Sequence, residues 1–347
     1  MTASIQQPRS VRTRPLRSRL VWPAWGWSLI GVIAVWLCIA AVRPGTPFEP
    51  ISQALSLAPF LVLVSLGQML VITLGPGNID VSVGAIVSMT SYVSVAVGAT
   101  AGPVVGLLAA AGAGLAAAAI SVIAILILRV PPIIATLATS LIVASGTLVL
   151  ADANRASADA GLRSFVNLKV MGIPVVALLV VVVTIVIALI LSRTSFGLSV
   201  LATGQSPRAA ERAGIAVWRV KAITYLLSGA LAGISGGLLA AFISPSPVLG
   251  TSYMLDSIAV VVIGGTLIAG GRAVPVGAWT GALFFVLLSG LLNLVGWSVG
   301  AQNILKGVLV VAVVIVSSAA AGTGRSTIAR LRESLHLAAT KKENKNG

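Results

Sequence analysis

Ten apolar runs decide what this chain can become. They fall at about 27–42, 51–73, 81–99, 103–128, 133–151, 174–192, 219–242, 254–270, 275–296 and 302–320. A helix crosses the hydrocarbon core of a bilayer with ~20 mostly apolar residues. Only helices and closed barrels satisfy every backbone polar group in lipid. Charged residues make up 9% of the 347, too few to cover the surface of a soluble protein, which averages ~25%. The expected fold is therefore an all-α, polytopic membrane helix bundle of about ten transmembrane segments. It occupies residues 23–322, between a disordered basic tail at 1–22 and a second basic tail at 323–347. Pro131-Pro132, Pro174, Pro245/Pro247 and Pro275 punctuate the runs. Runs 81–99 and 254–270 are short and follow Gly/Pro-rich stretches, so they are expected to be broken or re-entrant. The first run reads as a retained span rather than a cleaved leader. Nine similar runs follow it, and Trp22, Trp25 and Trp27 suit an interfacial belt.

The composition excludes several chemistries. There is one cysteine, Cys38, and one histidine, His336, so neither a disulfide within the chain nor a Cys/His zinc cluster can form. The eight acidic residues are scattered and fit no HExxH or EF-hand pattern. The nearest approach to a phosphate-binding loop, Gly322-Thr323-Gly324-Arg325-Ser326-Thr327, lacks both the spacing and the lysine. No catalytic residue, metal ligand or cofactor is expected on this chain. If ATP drives it, another chain hydrolyses the ATP.

A net charge of +15 could point to nucleic acid. The positions of the charges point elsewhere. With the N-terminus inside and ten crossings, the inner segments are the N-tail, 74–80, 129–132, 193–218, 271–274 and the C-tail. With Arg219 and Lys221 at the mouth of the next span, these hold 18 of the 23 basic residues. Arg43, Arg155, Arg163, Lys169 and Lys306 remain outside. Such an asymmetry sets orientation and faces anionic lipid, so no nucleic-acid partner is expected. Both termini are expected in the cytoplasm.

The one sizeable inner loop between spans, 193–218, carries a compact helix signal. Ser206 is a good N-cap, Pro207 fits the first helical position, Ala209, Ala210 and Ala213 favour helix, and Gly214 fits a left-handed stop. The expected helix covers 207–213. So short a helix is marginal alone. It is either a contact for another protein or an interfacial helix lying on lipid.

The run Gly204-Gln205-Ser206-Pro207-Arg208-Ala209-Ala210-Glu211-Arg212-Ala213-Gly214-Ile215, followed by Arg219-Val220-Lys221 and Leu227-Ser228-Gly229-Ala230-Leu231-Ala232-Gly233, resembles the permease subunit of ribose-type ABC sugar importers. Gly77-Asn78-Ile79-Asp80-Val81-Ser82-Val83-Gly84 resembles that family's G-G-I-D-L-S-V-G. The segment Leu255-Asp256-Ser257-Ile258-Ala259-Val260-Val261-Val262-Ile263-Gly264-Gly265-Thr266, then Gly270-Gly271-Arg272, resembles its L-D-A-I-A-A-V-V-I-G-G-T and S-G-G-x-G. The departures are Ser206 and Asn78, where the family usually has Asn and Gly, and Arg272-Ala273 after the glycine pair. The resemblance runs from about 51 to 320. It implies a translocation subunit for a monosaccharide or related polyol in the cytoplasmic (inner) membrane. It also implies three protein partners: a second permease copy, a cytosolic ATPase that carries the ATP and Mg, and an extracytoplasmic sugar-binding protein. Gly204, Ser206, Ala209, Ala210 and Gly214 then belong to an ATPase-coupling loop.

Asn78, Asp80, Ser82 and Asp256 are the polar candidates within the membrane. A carboxylate there is costly and is functional or firmly partnered. Asp80 and Asp256 each sit where a Gly/Pro-rich stretch opens a short apolar run, so both are expected to cap broken helices, with the first starting at about Asp80 or Val81. Contact with a sugar hydroxyl, or pairing with Lys306 or Arg272, are the other readings. The rival functions are an ABC permease for branched-chain amino acids or nucleosides, and an ion-coupled secondary transporter using one of these acids.

Overall fold

The structure is a computed structural model that describes residues 22–153, 158–312 and 315. Apart from Trp22, both basic tails lie outside the described residues. The helices in chain order are α1 (Gly26–Val42), α2 (Glu49–Thr73), α3 (Val83–Ala101), α4 (Pro103–Leu126), α5 (Pro132–Ala153) and α6 (Ala160–Asn167). A two-strand hairpin follows, with β1 (Lys169–Val170) antiparallel to β2 (Ile173–Pro174). Then come α7 (Val175–Arg193), α8 (Ser195–Gln205), α9 (Pro207–Arg212), α10 (Val217–Phe242), α11 (Thr251–Ile263), α12 (Pro275–Leu294) and α13 (Val299–Ala312). Prolines open α4, α9 and α12 at positions where the helix needs no donor.

Each of the ten apolar runs contains one apolar helix, the last run being described only over 302–312 and at 315. Seven helices are long and apolar enough to cross a membrane, and α1, α11 and α13 are shorter. With 13 residues, α11 rises only about 20 Å at ~1.5 Å per residue. It therefore falls short of a ~30 Å core, as expected of a broken helix. The expectation differs from the structure at 81–99. There α3 has 19 residues and is long enough to cross, and the irregular part is the chain that precedes it.

Helix α2 is the hub. Its most apolar window is 83% buried within the chain, against 28% for α5. Helix α5 instead exposes Leu137, Leu141 and Leu148, the side chains a lipid-facing helix offers. The hub neighbour α10 crosses α4 through small residues. A Cβ on Gly229 would run into the Gly114 backbone, and one on Gly233 into that of Ala110. Gly277 and Gly281 of α12 similarly meet the backbone of Gly264 and Val260, at the end of α11. Without a hydrophobic drive between helices in lipid, close backbone approach is what binds them.

Two irregular segments enter the bundle from opposite ends. After α2 the chain turns at Gly75 (φ +110) and Gly77 (φ +81). It then returns alongside α2 as 78–82. After α10 it turns through Ser244 (φ +122), Pro245 and Pro247. The second return reaches the start of α3, the helix that the first return leads into: Gly250 packs on Gly84, and the Gly250 N–H donates to Ser88 Oγ at 2.9 Å. A third break, 264–274, lies at the same end as the first, since the Gly271 N–H donates to the Thr73 carbonyl at 2.9 Å. The hairpin between α5 and α7 lies at the other end, because α7 runs from it to α8.

The α4–α10 crossing yields a direct test. Gly229→Val should lower the yield of folded, detergent-extracted protein, since overpacking costs ~1–3 kcal/mol even where side chains can yield. On the same interface helix α4, Gly112 has no atom within 4 Å of an added Cβ, so Gly112→Val should leave the size-exclusion profile unchanged.

Candidate functional site

The loop 194–216 folds as two short helices. Thr194 Oγ1 accepts from the Gly197 N–H at 3.1 Å and starts α8. Ser206 Oγ accepts from the Ala209 N–H at 3.3 Å and starts α9. The stop is a Schellman motif: the Ile215 N–H donates to the Ala210 carbonyl and the Gly214 N–H to that of Glu211, each at 3.0 Å. Gly214 has φ +84, a conformation that suits glycine. The helix has six residues and ends at Arg212, one short of the expected 213.

The five residues expected to couple this loop to an ATPase do not share one environment. Ala209 and Gly214 are exposed, and Ser206 is half-buried. Ala210 is buried, facing into the chain. Gly204 is buried as well, and a Cβ there would enter the backbone of Thr73 and Gly271. Gly270 in turn packs on Gly75. So Gly204 locks the end of α8 against two of the three breaks and presents nothing to a partner. The outer face of α9 consists of Arg208, Ala209, Glu211 and Arg212.

Asp80 is the centre of a buried polar node. Its Oδ1 accepts from the Ser82 N–H at 3.0 Å and from the Ser82 hydroxyl at 2.6 Å, and its Oδ2 accepts from the Ser228 hydroxyl of α10 at 3.0 Å. The Gln68 amide, oriented to match, faces the Asp80 N–H at 3.3 Å and carbonyl at 3.1 Å. Thr136 Oγ1 of α5 accepts from the Val81 N–H at 3.2 Å and donates to the Ile79 carbonyl at 3.3 Å. Tyr225 donates to Asn78 Oδ1 at 3.4 Å, and Asn78 Nδ2 donates to the Gly75 carbonyl at 3.2 Å. Irregular backbone in a membrane needs such partners. Asp80 holds the Ser82 N–H just before a helix but is not its cap, contrary to expectation: α3 begins at Val83, its N-cap is Ser82 and no side chain caps it, because the chain stays irregular for two residues beyond Asp80. Gln68 was legible only as a polar residue on an apolar helix. Thr136, Ser228 and Tyr225 carried no local signal of this role.

Asp256 corrects the expectation of a cap. It lies inside α11, whose N-cap is Gly250, because the polar start Thr251-Ser252 hides the helix onset in the sequence. Asp256 Oδ2 accepts from Lys306 Nζ of α13 at 3.0 Å, with both side chains nearly buried. Arg272 instead donates to the Gly265 carbonyl at 2.8 Å. The four membrane candidates therefore form one group and one separate residue: Asn78, Asp80 and Ser82 together, and Asp256 on another helix pair.

The node can be tested at Asp80. Asp80→Asn keeps an oxygen for Ser82 and an amide that can donate to Ser228, so folded yield should stay within about twofold of the parent. Asp80→Leu strips three donors of their acceptor at ~1–3 kcal/mol for each buried group and should sharply lower both folded yield and melting temperature in detergent.

Comparison with known proteins finds relatives named as permeases. The ribose import permease protein RbsC of Bacillus subtilis is 36% identical over 259 residues, covering 73% of this chain and 80% of the relative. RbsC of Escherichia coli K12 is 31% identical over 308 residues, covering 85% and 95%. The galactofuranose transporter permease protein YtfT of Escherichia coli K12 is 30% identical over 326 residues, covering 88% and 93%. No solved structure matches the chain. Residues 50–316 match the family model described as branched-chain amino acid transport system / permease component, and the chain belongs to that family of multi-pass membrane permeases.

Proposed function

We propose that this chain is the translocation subunit of an ATP-driven importer for a monosaccharide or related polyol. The observation that carries the reading is the alignment, over most of both chains, with relatives named for ribose and galactofuranose. The family description names branched-chain amino acids, but the aligned relatives favour sugar over that cargo. An ion-coupled mechanism has less support, since Asp80 is held by three donors and Asp256 by a lysine.

In this reading the chain does no covalent chemistry. A separate cytosolic ATPase holds ATP and Mg, a second copy of the permease completes the pathway, and an extracytoplasmic binding protein delivers the sugar. Helix α9 is the contact for the ATPase. Its outer face pairs a small residue, Ala209, with Arg208 and Arg212. Behind it, Ala210 packs inward and Gly204 grips the breaks at 73–75 and 270–271. A push on α9 therefore reaches the irregular segments inside the membrane through backbone contacts.

Two measurements test this. Ala209→Glu places a bulky charge on the exposed face, where a close contact would lose ~2–5 kcal/mol, or ~30-fold or more in affinity. The variant should fold normally yet lose both ATPase co-purification and sugar uptake. Ala210→Glu should lower folded yield, because that side chain faces inward. Retention of ATPase and uptake by Ala209→Glu would remove α9 as the contact.

Orientation is the second. In a Cys38→Ser background, Ala213→Cys should react with an impermeant maleimide only from the cytoplasmic side. Met171→Cys, at the hairpin tip and 98% exposed, should react only from outside. Reaction of both from one side would contradict ten crossings with both termini in the cytoplasm.

A further inference from the structure

Opposite α8 and α9, a cavity of about 510 Å³ opens between α1, α2, α11, α12 and α13. Its rim carries Arg43 and Glu49, which flank the α1–α2 connection, with Gln53 below and Asn293 across from them. Its depth is apolar, with Leu57, Leu61 and the ring of Phe285. The Asp256–Lys306 pair, 13–14% exposed, stands in its wall. Among the described residues it is the one salt bridge.

The lining has a definite chemistry. Two positive and two negative side chains cancel, so the cavity offers no net attraction for an anion or a cation. It holds donors (Arg43, Lys306), acceptors (Glu49, Asp256) and the amides of Gln53 and Asn293, of which Gln53 Nε2 donates to Glu49 and Asn293 Oδ1 accepts from Gln302. A ring face beside such groups suits a molecule with hydroxyls on its edge and C–H groups on its faces. A lipid chain would need none of these polar groups, and charged residues inside a membrane protein face paths or partners. Volumes of this size are usual for small-molecule sites.

We propose that this cavity is a binding site on the permease itself for an uncharged polyhydroxylated molecule arriving from the side opposite α9. Asp256 and Lys306 supply the acceptor and donor that select hydroxyls. The proposal rests on the import reading above and adds a location and a charge rule to it.

Gly290 borders the cavity, and a Cβ there meets no atom within 4 Å, so a cysteine fits. Spheroplasts would express the full transport complex with Cys38→Ser and Gly290→Cys, and the rate of impermeant maleimide labelling would be measured. D-ribose, D-galactose and, as a charged control, ribose 5-phosphate would each be added at up to 50 mM. We expect at least one neutral sugar to slow labelling threefold or more, and ribose 5-phosphate not to. Met171→Cys should label at an unchanged rate with every compound. Protection should be lost in Asp256→Asn with Lys306→Met, which removes both charges together, and weakened in Gln53→Leu, which alters only the exposed rim. Uptake of the same sugars is measured in the parent. A sugar that is imported but does not protect Gly290→Cys overturns the cavity site and leaves the import reading standing. Neither import nor protection by any sugar overturns both. Protection by the phosphate ester equal to that by the sugars overturns the charge rule, and with it the proposal.

Discussion

A chain that leaves helical conformation inside a membrane must satisfy its own backbone, since lipid offers no donor or acceptor. The segment 78–82 meets that demand with four side chains from three helices. Gln68 of α2 serves the peptide groups of Asp80, Thr136 of α5 serves Ile79 and Val81, Tyr225 of α10 holds Asn78, and Ser228 of α10 holds the carboxylate. The second return, at 243–250, relies more on close packing, with Gly250 on Gly84 and one bond to Ser88. The stacking of small residues between α4 and α10 follows from the same economy, because a node this dense forms only if its helices approach closely.

The two intramembrane acids meet their environment in different ways. Asp80 is fixed by neutral donors on two elements, and Asp256 by one cation on α13. Breaking a buried pair by removing one partner costs more than replacing both. The two sites therefore differ in kind: one secures a fold in the backbone, and the other leaves a charged pair facing an open cavity.

Much of this was legible in the sequence, for local reasons. Hydrophobic runs gave the ten apolar helices. Ser206, Pro207 and Gly214 located α9 to within one residue, because caps and stops act through neighbouring backbone groups. Long-range partners left no such trace. Ser228 lies 148 residues from Asp80, and its hydroxyl looks like any serine in a small-residue helix. Asp256 was misplaced for a related reason: Thr251 and Ser252 carry little apolar signal, so the helix seemed to start later than it does. Gly204 matched a motif, but only packing reveals that it faces the breaks at 73–75 and 270–271 rather than the outside.

Helix α9 is closed at both ends by bonds within its own loop, Ser206 at the start and the Gly214 turn at the finish. Ordering a segment at the moment of association normally consumes binding energy and slows productive encounter. Here bonds within the loop itself shape the surface. On the proposed reading, an ATPase docking on α9 would meet a pre-organised relief, so that its affinity would go into displacing the membrane segments instead of being spent on folding the loop.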